Sequence, residues 1–123
     1  MKIPDGYQAV MPYLIVKDAA KFIDFMKAVF GAAERLRIPR TVDAIMHAEI
    51  AVAGCVMMLA DATEEYKPRP GGFFIYVKDA DETYKVALAH GATSIAPPAD
   101  QEYGRSCGVV DAFGNSWWPT TAK

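Results

Sequence analysis

The sequence predicts an α+β fold built from one βαβββ unit repeated twice, and three observations carry that prediction. Sliding the chain on itself brings Val16-Lys17-Asp18-Ala19 onto Val77-Lys78-Asp79-Ala80 and Gly31-Ala32 onto Gly91-Ala92, with Gly54 and Gly114 equally far behind those glycines. An apolar, branched and aromatic run leads into each first landmark, as expected of a buried strand. A stretch with helical apolar spacing ends at each second landmark. The offset changes by one residue between the first two landmarks, so the halves keep their order through a small deletion.

The elements follow in order. Ala9 to Val16 reads as the first strand. Asp18 is placed to N-cap a helix from Ala19 to Phe30, with Phe22, Met26, Val29 and Phe30 on one face and Gly31 as its stop. Three strands are expected near Glu34 to Ile38, Ala44 to Val52 and Cys55 to Ala60, the last two joined at Ala53-Gly54. Thr63 to Gly72, with Pro68, Pro70 and a Gly-Gly pair, is a connector. The second unit repeats the plan. Its strand is Phe73 to Val77, followed by a helix from Ala80 to His90 under an Asp79/Glu82 capping box, with Tyr84, Ala87 and Leu88 facing inward and Gly91 as the stop. Strands are then expected at Thr93 to Ala96, Ser106 to Asp111 and Ser116 to Thr120, the last two joined through Phe113-Gly114-Asn115. Module 1 therefore covers about residues 8–62, a linker 63–71, and module 2 about 72–121, within a single domain.

Composition limits the functions open to such a fold. A chain of 123 residues, 52% hydrophobic and 23% charged, has enough apolar material for one core without a disulfide or structural metal. A net charge of -2 argues against a general grip on nucleic acid or anionic membranes. Cys55 and Cys107 lie far apart in apolar segments, outside any CxxC spacing, and read as two buried free thiols of a cytoplasmic protein. Met1 to Gln8 lacks the apolar run of a signal peptide, and no stretch approaches a membrane span. There is no phosphate loop, no G-x-S-x-G elbow and no cysteine in the setting of a nucleophile.

Two units of this size, with a V-x-D strand end, a helix closed by F-G-A or H-G-A and a final D-x-F-G-N turn, resemble the vicinal oxygen chelate superfamily. The likeness runs from Ala9 to Thr121 and is nearest to the glyoxalase, bleomycin resistance protein and dioxygenase group, in its PhnB-like branch. It implies cup-shaped mixed sheets, with a divalent metal held on four strands in the family's enzymes. The corresponding positions here are Met11, Met58, Gly72 and Trp118, none of them a hard oxygen or imidazole donor, so no metal and no cofactor is expected.

The same register puts Met11, Tyr13 and Ile15, then Val56, Met58 and Ala60, on the cup side of module 1. In module 2 it puts Gly72, Phe74, Tyr76, Ser116 and Trp118 there. Leu14, Val16, Met57, Leu59, Ile75 and Val77 are left for the helices. On the third strand His47, Glu49 and Ala51 take the cup side, and the repeat assigns Cys107 and Val109 to equivalent places. Such a lining suits a flat or cationic organic compound stacked on aromatic rings; the alternative is a closed core filled by Met, Phe and Trp. His47 and Glu49 either move a proton on a bound molecule or form a hydrogen-bonded structural pair at a strand edge. Glu102, Tyr103 and Arg105 are rim contacts or members of a solvated loop, His90 is a helix-end partner, and Arg35, Arg37 and Arg40 belong to an exposed edge. Two functions follow: metal-independent sequestration of a small organic molecule by a homodimer, or lyase, isomerase or dioxygenase-type turnover through His47/Glu49 or an atypical metal site. A third possibility is a module with a closed cup that acts only through its dimer surface.

Overall fold

The computed structural model describes residues 1–123, and its chain alternates as the repeat requires. Module 1 runs β1 (Tyr13–Val16), α1 (Ala19–Phe30), β2 (Ala33–Thr41), β3 (Ala44–Val52) and β4 (Cys55–Asp61). Module 2 runs β5 (Gly72–Tyr76), α2 (Ala80–Ala89), β6 (Thr93–Gln101), β7 (Gly104–Val110) and β8 (Ser116–Ala122). Each module is a four-stranded mixed sheet, ordered β1-β4-β3-β2 and β5-β8-β7-β6. Ala9 to Pro12, expected as strand, lie outside β1: the parallel pairing with β4 begins at Tyr13↔Met58. No helix is long and apolar enough to cross a membrane.

One core joins the modules. Leu14, Val16, Met57, Leu59 and Ile75 are buried on the helix side, as their alternation requires. Phe22 and Phe25 of α1 meet Phe113 of module 2 edge-on, and Phe30 packs 4.8 Å from Trp117, which stacks on Phe73 at 4.6 Å. α1 buries Ile23 and Phe25 as well as the expected Phe22, Met26 and Val29, because it touches both modules. α2 is less enclosed: Ala87 is buried and Tyr84 is tied to Ser94 by its hydroxyl at 2.7 Å, but Leu88 faces solvent rather than the core.

The helix starts show the repeat at atomic detail. Asp18 adopts φ 61 and its side chain caps nothing, contrary to expectation. The cap comes instead from the end of β4, where Asp61 Oδ1 accepts from the Ala19 amide at 2.8 Å while Oδ2 accepts from Ile45 N at 2.6 Å. In module 2 the last strand again supplies a cap, Thr121 Oγ1 accepting from Ala80 N at 2.7 Å, and Asp79 adds its own by accepting from Glu82 N. Gly31 takes the left-handed stop anticipated for α1, at φ 67.

The modules differ at one turn. Ala51 pairs with Val56 across residues 52–55, whereas Val110 pairs with Ser116 across residues 111–115. The extra residue sits in a turn organised by buried Asp111, whose Oδ1 accepts from the amides of Phe113 and Asn115 and whose Oδ2 accepts from Trp117 Nε1 at 2.8 Å. A one-residue step in register exchanges the faces of a strand. Cys107 and Val109 therefore point to the helices and not to the cup side: Cys107 Sγ lies 3.8 Å from the Ala80 carbonyl, and Val109 is part of the core. Gly108 takes the place opposite Trp118, where any Cβ would collide with the indole.

Candidate functional site

The face of the first sheet turned away from the helices carries a connected line of polar side chains. β3 is an interior strand, so the pair on it is not at a sheet edge. Glu49 lies opposite Met58, which lies opposite Tyr13 across β4, and this register places His47, Glu49 and Tyr13 on one surface. His47 Nε2 is 2.9 Å from Glu49 Oε2, and His47 Nδ1 is 3.0 Å from the Tyr13 hydroxyl. The other Glu49 oxygen accepts from Tyr7 at 2.6 Å. Glu49 is 4% exposed yet fully partnered. The hydrogen bond from Tyr7, then that from His47, hold its carboxyl below the usual range, while the same bond pushes the Tyr7 phenol up.

The N-terminal segment completes this arrangement. Gln8 exchanges two hydrogen bonds with the Val56 backbone, at 2.8 and 3.2 Å, in place of a neighbouring strand. Arg35, exposed on the edge strand β2 as expected, donates to the Gly6 carbonyl at 2.8 Å and lies 5.0 Å from the Tyr7 ring centroid, so it also clamps the segment. Met11 and Met58 end up beneath Pro4, Tyr7 and Gln8 in a cleft of about 370 Å³. A second cleft of about 490 Å³ remains open at the other end of the face, lined by Tyr13, Ile15, Arg40, Met46, Ala60 and Tyr66 together with Asp61. Arg40 donates to the Asp61 carbonyl at 3.3 Å, and Arg37 is engaged with Glu34.

Tyr7, Met46 and Tyr66 escaped the sequence reading because their placement depends on a loop, a bulge and the connector; Arg40 lies on the exposed edge strand as expected and also lines the cleft. Leu36 and Ile38 were also missed. They lie opposite Glu49 and His47, and the apolar alternation of Leu36 and Ile38 between arginines was the signal that could have found them.

In module 2, Phe74, Tyr76 and Trp118 stand on the outer face, 51%, 60% and 37% exposed. Phe74 meets Tyr76 at 5.2 Å and Tyr103 at 6.1 Å. Glu102 is exposed at the adjacent hairpin tip. Arg105 is not a rim contact: its guanidinium is bound to Asp81 at 2.7 Å and Asp100 at 3.1 Å, on the side of α2. Cys107 is buried, its thiol pushed up to about 11 by that burial, but Cys55 is exposed at the first hairpin and so departs from the expected buried pair. His90 lines a shallow cleft with Lys21, Asp24 and Phe25, far in sequence from the polar line.

The four positions matching the family's metal ligands do not form a divalent site. Met11 and Met58 offer thioethers, Gly72 only backbone and Trp118 an indole. No group of three or more His, Cys, Asp or Glu side chains is arranged to hold a metal ion. His47 and Glu49 are two donors already bonded to each other. A further cleft of about 340 Å³ lies between the modules, lined by Gln8, Val10, Pro12 and Met57 with Phe74 and Trp117, whereas the other clefts on the outer faces each open within one module.

A model of the Glyoxalase/Bleomycin resistance protein/Dioxygenase superfamily matches residues 7–118. An uncharacterized protein of Mycobacterium bovis is 33% identical over 121 residues, spanning 89% of this chain and 80% of that one. Among solved structures, TioX from Micromonospora sp. ML1 superposes with a TM-score of 0.76 at 26% identity, over 94% of this chain and all (100%) of the other. A PhnB protein from Bacillus cereus gives a TM-score of 0.73 at 15% identity, over 94% and 100% of the two chains, a likeness of fold alone.

Proposed function

The chain belongs to the glyoxalase/bleomycin resistance protein/dioxygenase superfamily, and from that premise we propose that it binds and sequesters a flat organic molecule without a divalent metal. The observation that carries this reading is the open cleft of about 490 Å³ beside a hydrogen-bonded Tyr13–His47 pair, on the face where the family holds its ligands. Its lining pairs rings for stacking with a few fixed polar groups. Phe74, Tyr76 and Trp118 of the outer face of module 2 supply a second stacking surface. We propose that a homodimer lays this surface across the first-sheet face of its partner and so closes the cup between two chains. The exposed Cys55 thiol is suited to a reducing cytoplasm, where we place this role.

A thermal-shift screen with planar aromatic compounds tests the proposal, run on protein purified without chelator and analysed for metals. Stabilisation by a subset of compounds, lost in Tyr13→Ala, supports it. A stoichiometric divalent metal, or stabilisation that survives Tyr13→Ala, overturns it.

The continuous line Tyr7–Glu49–His47–Tyr13 favours a second reading, enzymatic turnover of the isomerase or lyase kind with His47 and Glu49 handling a proton. Conversion of a bound compound by the wild-type protein and not by His47→Leu separates it from sequestration.

A further inference from the structure

We infer that the cleft beside Tyr13 selects planar ligands that donate a hydrogen bond, an aromatic N–H or O–H, and rejects rings of the same size that only accept one. The inference rests on the ligand-binding reading of this cleft and follows from the direction of the hydrogen bonds behind it.

An ionised carboxylate only accepts. With Glu49 receiving at both oxygens, the Tyr7 hydroxyl must donate to Oε1 at 2.6 Å and His47 Nε2 must carry the proton shared with Oε2 at 2.9 Å. A neutral imidazole protonated at Nε2 has only a lone pair at Nδ1. The Tyr13 hydroxyl, 3.0 Å away, is then the donor of that bond. A phenol has one proton. Once it is committed to His47, the Tyr13 oxygen presents lone pairs alone to the cleft it lines.

The selection is made at the Tyr13 oxygen. Asp61 has both carboxylate oxygens occupied by backbone amides; Arg40 spends one N–H on the Asp61 carbonyl and keeps its other donors, which, like Tyr66, serve parts of a ligand away from the atom that meets Tyr13. Tyr13 and His47 are held ring against ring, centroids 5.6 Å apart, so the hydroxyl cannot turn its proton outward without breaking its bond. A site with a fixed acceptor discriminates against a ligand that lacks the matching donor, because its polar atom is left unpaired.

The test uses three bicyclic rings of nearly equal size: indole, which donates; quinoline, which accepts; and benzofuran, which does not donate. Binding is measured by calorimetry at about pH 9, above the range in which an imidazole ordinarily holds a second proton. Wild-type protein should bind indole on the order of tenfold more tightly than either alternative. Tyr13→Phe should bring the three to parity. His47→Leu releases the Tyr13 proton toward the cleft, and quinoline should then overtake indole. Parity of the three in the wild type, or an indole preference that persists in both variants, overturns the inference while leaving the binding role intact. Failure of all three to bind overturns both.

Discussion

Tyr7 and Glu49 are 42 residues apart in sequence and joined by a 2.6 Å hydrogen bond, which fastens the N-terminal segment to the middle of the first sheet. The contact both anchors that segment and satisfies a carboxylate that would otherwise be buried with a free oxygen.

This pairing makes stability depend on acid. The Glu49 carboxyl is held below the usual range in the folded state, so its contribution is fully present above the ordinary glutamate value, about 4.3, and is lost as pH falls through the lower native value. Glu49→Gln should therefore lower the melting temperature more at pH about 7 than at pH about 3. Melts followed by circular dichroism at both values check this; an equal deficit at each counts against an ionised Glu49.

Asp61 holds two backbone amides, one at the start of α1 and one in β3. Asp61→Ala should cost about 2–3 kcal/mol, beyond the loss of a single cap, whereas Thr121→Val, which removes only the Ala80 contact, should cost about 1 kcal/mol. Urea unfolding of the two variants measures the difference.

At Gly108 an added methyl meets the Trp118 ring. Gly108→Ala should destabilise by about 1–3 kcal/mol and shift tryptophan emission as the indole is pushed away from β7, with far-ultraviolet dichroism retained. Emission unchanged from the wild type would contradict the close packing described.

Arg105 is occupied by Asp81 and Asp100 at an exposed site. Arg105→Ala should leave ligand-dependent thermal shifts unchanged and stability little altered, as expected of solvent-screened pairs. Trp118→Ala, in contrast, should weaken ligand binding more than it lowers the melting temperature, since the ring is 37% exposed.

Much of this architecture was legible from local signals. Gly31 marked the end of α1, alternation assigned Leu14, Val16, Met57 and Leu59 to the helices, and the V-K-D-A repeat exposed the duplication. The Tyr13, His47 and Glu49 cluster was legible in part, because strand parity alone puts His47 and Glu49 on one face. Tyr7 was not, since nothing periodic governs a segment held by a tyrosine, a glutamine amide and an arginine. Asp18 misled because an aspartate before a helix is ordinarily its cap, yet a tertiary contact from Asp61 supplied that function. Arg105 misled because sequence does not reveal that Asp81 lies beside it.

The Cys107 and Val109 assignment failed for a reason that reaches further than those two positions. Residues 111–115 are one longer than their counterpart, so the true equivalents of His47 and Glu49 are Ser106 and Gly108. In a duplicated chain, then, loop length decides which residues of one half take the places that carry the chemistry of the other. Anyone grafting a second acid–base couple onto this scaffold must rebuild Ser106 and Gly108, because shortening the loop would bring only Cys107 and Val109 to that face.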